Sequence, residues 1–419
     1  EIMPSLVGSE MCIRDSWNTA KRSGWARSNT NSWNWNRMEY RILGRTGLKV
    51  GAIALGCEGF ADKTAEEVRA DFDFAIRNGI NFLDLYASNP ELRSNIGAAL
   101  AGRREKFVIQ GHLCSVWEGG QYLRTRDPEK SLAAFEDLLA RLGTDYVEIG
   151  MIHYVDAEAD LREVLDGPIM RLAQRLRSEG RIRHIGLSSH NPVVAHMAAR
   201  TGLIDVLMFS VNPCYDLLPP SDDVDTLWAD ESYARELHNI DPERQRLYEF
   251  CEREGIAIDV MKAYGGGDLL SDANSPFGRP MTPVQCLEYA LTRPGVAAVM
   301  AGCRSRAEIE AALAWCSPTA AERDYTGALA GLDKFSWEGH CMYCGHCAPC
   351  SVGIDIAGVN KYYNLTLAQH EIPETVREHY RLLPHHASEC IACGRCERNC
   401  PFGVDIIGHM RLAAAKFGY

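Results

Sequence analysis

The stretch AEEVRADFDFAIRNGINFLD, residues 65–84, shows the pattern that decides the fold. Its first part places apolar side chains at helical spacing and ends in a glycine, which is typical of a helix C-terminus. A short apolar run follows and ends in Asp84, as a buried strand would. Such runs alternate with helical stretches from Met38 to about Trp315, and they lie at 50–56, 80–84, 106–112, 146–153, 182–188, 204–210, 256–262 and 296–302.

Eight strand–helix units over roughly 280 residues predict an α/β fold, a (β/α)8 TIM barrel, for residues 38–316. A doubly wound open sheet is the alternative, but no Gly-x-Gly-x-x-Gly sequence follows the first apolar run. Residues 1–37 have neither helical nor strand periodicity, and their stretch LVGSEMCIRDS resembles a translated sequencing adapter. We interpret them as a non-native or disordered leader and Met38 as the natural start.

The composition excludes several classes of protein. The chain has 419 residues and a formal net charge of −12, so a nucleic-acid partner, which needs a basic surface, is not expected. The absence of any run of 18 or more apolar residues argues against a membrane span. Sixteen cysteines without a signal peptide indicate metal ligation in a reducing compartment, the cytoplasm, rather than disulfide bonding.

Half of the cysteines lie in two runs, CMYCGHCAPC and CIACGRCERNC, at positions Cys341, Cys344, Cys347, Cys350, Cys390, Cys393, Cys396 and Cys400. The second run, with Pro401 after it, has the spacing of bacterial ferredoxins, and the first run is one residue shorter before its fourth cysteine. These thiols predict two 4Fe–4S clusters, with structural zinc as the alternative. The fourth cysteine of such a run often binds the other cluster, which would exchange Cys350 and Cys400 between the two groups.

Similar sequences follow the two cysteine runs, SVGIDI after the first and PFGVDI after the second. We interpret this similarity as an internal duplication. The spacer between the runs contains the helical pattern PETVREHYRLL. Residues 317–419 are therefore predicted to form a small, mainly α-helical ferredoxin-like domain with two 4Fe–4S clusters.

In TIM barrels the reactive groups lie at the C-terminal ends of the strands. The polar residues at the predicted strand ends of this chain are Glu58, Asp84, His112, His153, Ser188, Ser189, Asn212 and Lys262. The long acidic loop 217–241, between the sixth and seventh predicted strands, would overhang the same end of the barrel. A loop of this length is either functional or disordered, and we interpret it as a lid or a disordered segment.

From Met38 to its C-terminus the chain resembles the aldo-keto reductase family, in the subgroup with a C-terminal 4Fe–4S ferredoxin-type domain. The resemblance rests on the two cysteine runs and on the motifs MEYRILGRTGLKVGAIALGC (38–57), NGINFLD (78–84), YVEIGMIH (146–153), GRIRHIGLSSHNP (180–192) and VMAGCRSRAEIEAAL (299–313). It implies NADPH-dependent reduction of carbonyl groups by a tetrad of Asp, Tyr, Lys and His, in which the tyrosine protonates the carbonyl oxygen.

The resemblance places the aspartate of this tetrad at Asp84 and its histidine at His153. The tyrosine position, five residues after the aspartate, is occupied by Asn89, and the lysine position at the end of the third strand is occupied by His112. Asparagine cannot deliver a proton, and histidine titrates far below lysine. The chain therefore departs from the family at two of its four catalytic positions.

Other side chains at the barrel mouth are candidate replacements. His112 and His153 would reach the mouth from neighbouring strands, where an imidazolium with a pKa of roughly 6–7.5 is a candidate proton donor. Asp84 would fix the tautomer, and Tyr86 and Tyr154 are further candidate donors. The alternatives are structural histidines, or a metal ion held by the two histidines and Asp84.

The resemblance also implies a site for NADP(H). The implied residues are Ser188, Ser189 and Asn212 for the nicotinamide amide, and Gly302, Arg304, Ser305 and Arg306 for the 2′-phosphate. The second group would open the helix after strand eight, and a helix N-terminus with two guanidinium groups suits a phosphate. The alternative is that both arginines are surface charges paired with Glu308 and Glu310.

These inferences predict an oxidoreductase with a nicotinamide and a small organic substrate, a carbonyl or an alcohol, in the barrel. Two clusters would pass single electrons between this site and an external carrier, since a cluster moves one electron and a hydride carries two. One alternative is a non-catalytic electron-transfer subunit. Another is a redox-neutral barrel enzyme, such as an isomerase that uses the histidines.

Overall fold

The computed structural model describes residues 38–419 except 331, 333, 368–371 and 373. The leader predicted at residues 1–37 lies outside the described residues. Two bodies of structure follow one another along the described chain, a closed barrel and a smaller helical module.

Eight parallel strands form the closed barrel, and their bounds are β1 Ile53–Gly56, β2 Phe82–Leu85, β3 Val108–Leu113, β4 Val147–Ile152, β5 Ile182–Ser189, β6 Val206–Ser210, β7 Ala257–Met261 and β8 Val296–Gly302. Each strand pairs with its neighbours in the chain, and β8 closes the ring by pairing with β1. Every strand overlaps one of the eight predicted apolar runs, so the predicted TIM barrel is confirmed.

The helices around the barrel are α1 Ala65–Arg77, α2 Pro90–Leu100, α3 Pro128–Leu142, α4 Glu158–Asp166, α5 Pro168–Ser178, α6 Pro192–Arg200, α7 Pro242–Glu254, α8 Pro283–Leu291 and α9 Arg306–Leu313. Local sequence explains where many of them begin. Proline stands at the first position of six of them, where its missing N–H costs no hydrogen bond. Thr64 and Glu67 form a reciprocal capping box at the start of α1.

A short antiparallel hairpin of Tyr40–Ile42 and Lys49–Gly51 precedes β1. Leu43 and Val50 from this hairpin are fully buried and pack with apolar side chains from inside the barrel. The hairpin thereby closes the N-terminal end of the barrel. The polar strand ends are left at the opposite end, which is the usual place of the active site in this fold.

The C-terminal module is mainly helical, as predicted, with α10 Ala320–Arg323, α11 Thr326–Leu329, α12 Ile356–Leu367, α13 Glu374–Arg381, α14 Arg395–Asn399 and α15 Ile406–Phe417. The two similar sequences that follow the cysteine runs form the same local structure. Asp355 accepts a hydrogen bond from the backbone N–H of Gly358 at the start of α12, and Asp405 does the same for Gly408 at the start of α15. This equivalence agrees with an internal duplication.

The loop 217–241 is ordered by contacts at several points. Its residues Leu237–His238 form a two-residue strand that pairs in parallel with Phe335–Ser336 of the C-terminal module. The Trp228 ring lies 5.1 Å from Nζ of Lys262, and Asp222 accepts a hydrogen bond from Asn191. The loop therefore connects the barrel mouth with the cysteine-containing module. Among the described helices, none is long and apolar enough to cross a membrane.

Candidate functional site

A group of buried polar side chains from β2, β3 and β7 lies inside the barrel. Asp84 and Gln110 are register partners on adjacent strands, and Gln110 Nε2 donates to Asp84 Oδ1 at 2.9 Å. The same amide nitrogen donates to Asp259 Oδ2 at 3.0 Å. Burial, with a smaller contribution from Asp84, raises the pKa of Asp259 well above its ordinary value. Burial thus favours the neutral form of Asp259 in the folded chain.

Asp84, His112 and His153 form a continuous hydrogen-bonded series. His112 lies two residues beyond Gln110 on β3, so both side chains point to the inside of the barrel. His112 Nε2 lies 2.8 Å from Asp84 Oδ1, and His112 Nδ1 lies 2.8 Å from Nδ1 of His153, which follows β4. The structure thus brings together the three residues that the sequence placed at neighbouring strand ends.

The protonation state of His153 differs from the sequence-based expectation. Burial, followed by the charges of His112 and Arg126, lowers the pKa of His153 well below its ordinary value. The expected imidazolium with a pKa of roughly 6–7.5 is therefore not formed at this position, and His153 is neutral at pH 7. A neutral His153 either accepts or donates the hydrogen bond between its Nδ1 and Nδ1 of His112. Its other ring nitrogen, Nε2, is the one that can face a substrate.

Both ring nitrogens of His112 take part in hydrogen bonds, one to Asp84 and one to His153. Neither nitrogen is therefore left to bind a metal ion. The sequence left open a metal ion on Asp84, His112 and His153. In the part of the chain that the structure describes, no three His, Cys, Asp or Glu side chains converge on a point that would hold a single metal ion. The geometry supports hydrogen bonding and proton transfer among these three residues.

Aromatic side chains surround His153. Tyr86 stacks on the His153 ring with 5.5 Å between centroids and 3° between planes, and Tyr122 meets it edge-on at 5.5 Å. Tyr122 comes from the hairpin Ser115–Glu118 and Gln121–Arg124, which follows β3. Burial raises the pKa of Tyr122 above its ordinary value. This wall shields one side of the imidazole from water, and Tyr86, a predicted catalytic residue, belongs to it.

Tyr154 is held in an unusual backbone conformation beside the series. Its φ of 55° lies in the left-handed region, which non-glycine residues rarely adopt. Its N–H donates to Ser188 Oγ at 2.7 Å, and its carbonyl accepts from Arg124 and Arg126. Burial raises the pKa of Tyr154 to about 12, so its hydroxyl stays protonated at neutral pH. Strained residues of this kind concentrate at functional sites.

Asn89, at the position of the family's tyrosine, serves as a helix cap. Its Oδ1 accepts hydrogen bonds from the N–H groups of Glu91 and Leu92 at the start of α2. Pro90 occupies the first position of that helix. The side chain at this position is thus turned to the helix end, in agreement with the prediction that Asn89 supplies no proton.

The residues assigned to the nicotinamide amide are buried at the ends of β5 and β6. Ser189 Oγ donates to Asp156 Oδ1 at 3.0 Å, and Ser188 Oγ accepts from the N–H of Tyr154. Asn212 Oδ1 caps the following turn, and its Nδ2 donates to the carbonyl of Lys262. The structure therefore places all three at the barrel mouth, where each already has partners within the chain.

Asp156, beside Ser189, also accepts from His190 at 2.9 Å. Burial alone would raise the pKa of Asp156. The charge of His190, with the hydrogen bonds that the His190 side chain, the His190 backbone N–H and Ser189 donate, outweighs burial, so the pKa of Asp156 is lowered. Asp156 is therefore an anion at neutral pH that holds the end of β5. It is a structural support for the predicted nicotinamide residues.

The segment assigned to the phosphate opens α9, as predicted. Ser305 caps the helix by accepting from the N–H of Glu308, whose carboxylate accepts in turn from the N–H of Arg304. Arg306 pairs with Glu310 at 3.1 Å and lies over the Phe74 ring, which agrees with the alternative of a surface ion pair for this residue. Gly302 precedes the segment at the end of β8.

No carboxylate among the described residues lies within ion-pair distance of the Arg304 guanidinium, which is partly exposed. The two arginines of the segment thus differ in their surroundings. Arg304 is the one available for an external anion.

The first three cysteines of the second run and the last cysteine of the first run line one cavity. Its lining includes Cys350, Cys390, Cys393 and Cys396, and Ser351 Oγ lies 3.5 Å from Cys393 Sγ. Four thiols without a carboxylate fit the ligand chemistry of a 4Fe–4S cluster. The grouping is the exchanged one, with Cys350 beside the second run.

The other four cysteines also lie together. Burial, with contributions from the thiols of Cys344 and Cys400, raises the pKa of Cys341 to about 12. Burial, followed by the thiols of Cys341 and Cys344 and by Cys396 of the second run, raises the pKa of Cys347. The interaction of Cys400 with Cys341 and Cys344 agrees with the exchanged grouping. Outside the two runs, Cys57 and Cys303 are fully buried, and burial raises the pKa of both thiols.

Sequence reasoning missed several residues of the site. Gln110 and Asp259 were overlooked, although each interrupts an otherwise apolar strand, in VIQGH and IAIDVMK. A buried polar residue in such a run signals a polar partner inside the barrel. Tyr122 carried no comparable signal, because it reaches His153 only through the fold of a hairpin.

Comparisons with known proteins agree with these features. The profile of the Aldo/keto reductase family matches residues 48–326, and that of the 4Fe-4S dicluster domain matches residues 340–405. An aldo-keto reductase from Bacillus halodurans, solved in its holo form, has a TM-score of 0.51 and 22% identity, and covers 68% of this chain and 94% of that chain. That likeness shows the shared fold.

Two curated relatives match part of the barrel. L-galactose dehydrogenase of Arabidopsis thaliana is 28% identical over 200 residues, which are 44% of this chain and 61% of that protein. L-glyceraldehyde 3-phosphate reductase of Escherichia coli (strain K12) is 29% identical over 168 residues, 38% of this chain and 47% of that protein. The chain spans about half the length of the curated relatives it matches. With its barrel matched over residues 48–326, the chain belongs to the aldo/keto reductase family.

Proposed function

We propose that the protein is an iron–sulfur oxidoreductase that interconverts a small alcohol and its carbonyl compound at the barrel mouth. The observation that carries the proposal is the hydrogen-bonded series of Asp84, His112 and His153. The family profile and the 4Fe-4S dicluster profile support the class of reaction. The substrate, the two clusters, NADP(H), an external electron carrier and a cytoplasmic location are parts of the proposal.

The series provides a route for one proton. His153 is neutral, and with Asp84 beside Nε2 of His112 the favoured arrangement has Nε2–H of His112 donating to Asp84 and Nδ1–H of His153 donating to His112. Nε2 of His153 is then a free base. When it accepts the hydroxyl proton of an alcohol, the Nδ1 proton passes to His112. The positive charge comes to rest on His112 beside the Asp84 carboxylate, where it is stabilised.

The reverse movement of the same proton serves carbonyl reduction. Nε2–H of His153 then protonates the carbonyl oxygen, and His112 returns its proton to Nδ1 of His153. His153 thus works from its neutral form, and a low pKa does not prevent it from giving a proton. A bound nicotinamide supplies hydride chemistry and a 4Fe–4S cluster supplies one-electron transfer.

The residues around the series position the substrate. Tyr86 and Tyr122 keep water from one side of the His153 ring. Ser188, Ser189 and Asn212 are the proposed contacts of the nicotinamide amide, and Arg304 is the proposed contact of the 2′-phosphate. The two sets of four cysteines are the proposed cluster ligands, with Cys350 and Cys400 exchanged between the runs.

The test combines cofactor content with cofactor binding on anaerobically purified protein. We expect about eight iron and eight sulfide per chain, and a fluorescence change when NADPH is added. Cys316→Ser, which removes a thiol outside both runs, serves as the control and should leave the iron content unchanged. One or two zinc ions in place of iron would contradict the proposal.

A second candidate is an electron-transfer subunit that binds no nicotinamide. Glu308 favours it, because this largely buried carboxylate accepts from the N–H of Arg304 at the place proposed for a phosphate. A negative charge there opposes an anionic ligand. Iron–sulfur clusters that accept electrons, together with no detectable binding of NADPH or NADH, would favour this candidate.

A further inference from the structure

A buried arginine lies against the first cysteine run. Arg293, in the turn between α8 and β8, is 2% exposed. Its Nη2 donates to the carbonyl of Met342, which stands between Cys341 and Cys344, and to the hydroxyl of Tyr325 at 3.3 Å. The guanidinium also lies 5.3 Å from the centroid of the Tyr343 ring. Arg293 thus contacts the backbone and a side chain of the loop that carries two cluster ligands.

One nitrogen of this guanidinium has no partner. Arg293 Nη1 is buried and makes no hydrogen bond within the described residues. A buried N–H group without an acceptor costs free energy, so its presence calls for an acceptor at this place. The unused donor lies beside the loop of Cys341 and Cys344, because Nη2 of the same guanidinium donates to the Met342 carbonyl between them.

We propose that Arg293 is a positioning residue that donates a hydrogen bond to, and places a positive charge beside, the cluster bound by Cys341, Cys344, Cys347 and Cys400. The inference rests on the proposed function in that it requires this cluster. A reduced cluster carries one more negative charge than an oxidised one. Arg293 stabilises the reduced form and raises the reduction potential of this cluster.

The second set of cysteines has no equivalent. Two arginines lie near this set, and both are exposed: Arg395 lines the cavity, and Arg398 donates to the carbonyl of Cys393 at 3.4 Å. An exposed charge is screened by water, whereas a buried one acts at full strength. The two clusters therefore differ in potential, and electrons rest preferentially on the cluster beside Arg293.

The test is a reductive titration with dithionite followed by EPR, in which each cluster takes up one electron per step. In Arg293→Met and Arg293→Gln, we expect one of two midpoint potentials to fall and the other to stay. A tenfold change in the ratio of reduced to oxidised cluster corresponds to about 59 mV for a one-electron couple, and we expect at least this shift. Arg293→Lys keeps the charge, and it should shift the same midpoint less.

Two matched variants separate this role from a structural one. Tyr325→Phe removes the other hydrogen bond to the Met342 carbonyl, which Tyr325 donates at 2.6 Å, and leaves the charge in place. Arg244→Met removes a buried arginine that pairs with Asp216 at 3.6 Å instead. Neither should move a midpoint. Unchanged potentials in the Arg293 variants, or an equal shift in Tyr325→Phe, would overturn the inference. A wild-type chain without iron–sulfur signals would contradict the proposed function and the inference with it.

Discussion

Nδ1 of His112 and Nδ1 of His153 lie 2.8 Å apart, so one ring donates a hydrogen bond and the other accepts it. This pairing links the partly exposed His153 to the buried His112 and, through it, to Asp84. A proton taken up at the mouth therefore has its charge placed in the interior, beside an acid.

The first prediction concerns turnover. His153→Gln and His112→Gln should each lower turnover on the order of 100-fold, because each interrupts the series at a different ring. In the direction from alcohol to carbonyl, wild-type turnover should stay level from pH 7 to 8. It should fall in acid as His153 becomes protonated. Rates measured with a series of small alcohols and aldehydes check this. Full turnover in both variants would show that the histidines are structural.

The second prediction concerns stability and pH. The pKa of His153 is lowered in the folded chain, so below about pH 6.5 the unfolded chain binds more protons than the folded one. Stability is therefore present above that pH and is lost as the pH falls. His153→Phe should reduce this loss between pH 6.5 and 5 by up to about 1.4 kcal/mol per pH unit. Urea midpoints at several pH values measure it, with the exposed His238→Gln as control.

The third prediction concerns Asp259. Its raised pKa means that the folded chain keeps a proton that the unfolded chain releases above about pH 4, so stability falls as the pH rises. Asp259→Asn keeps an oxygen that accepts from Gln110 and carries no titrating proton. The variant should be more stable than wild type by about 1 kcal/mol or more at pH 8, and by little at pH 4. Thermal unfolding at both pH values is the measurement, and a uniform loss would contradict it.

The fourth prediction concerns the choice of nucleotide. Arg304→Ala should weaken NADPH binding by about 1–3 kcal/mol, because it removes a charge-assisted contact to the 2′-phosphate. NADH binding should change much less. Arg306→Ala is a matched control, since Arg306 already pairs with Glu310. Fluorescence titrations with both nucleotides give the comparison, and equal losses for NADPH and NADH would show that Arg304 does not contact the phosphate.

The fifth prediction concerns the exchange of cysteines between the runs. Cys350→Ser should impair the cluster of Cys390, Cys393 and Cys396, because all four line one cavity. Cys400→Ser should instead impair the cluster of the first run. EPR spectra of the two reduced variants should therefore lose different signals. If Cys350→Ser and Cys347→Ser lost the same signal, the ligands would follow the sequence order instead.

The sequence predicted the features that repeat or stand close together along the chain. The barrel followed from eight apolar runs, and the 4Fe–4S domain followed from the spacing within two short cysteine motifs. Asp84, His112 and His153 could be placed because the fold brings consecutive strand ends to one rim. These features can be predicted from local sequence patterns together with one rule, that the C-terminal ends of the strands of a TIM barrel lie at the same end of the barrel.

Contacts between distant positions could not be predicted in the same way. Gln110 and Asp259 are 149 positions apart, and their hydrogen bond depends on how the inside of the barrel is filled. Arg293 meets Met342 because the barrel and the C-terminal module pack together. The lowered pKa of His153 reflects burial by Tyr86 and its neighbours, which no local pattern encodes. Tertiary packing determines all three.

The parallel pairing of Leu237–His238 with Phe335–Ser336 has a thermodynamic consequence. A loop that covers the barrel mouth takes part of its backbone hydrogen bonding from the other module, so whatever stabilises that module also orders the loop. Loss of structure in the C-terminal module should therefore also remove these hydrogen bonds from the loop. The order of the loop at the barrel mouth thereby depends on whether the iron–sulfur module is folded.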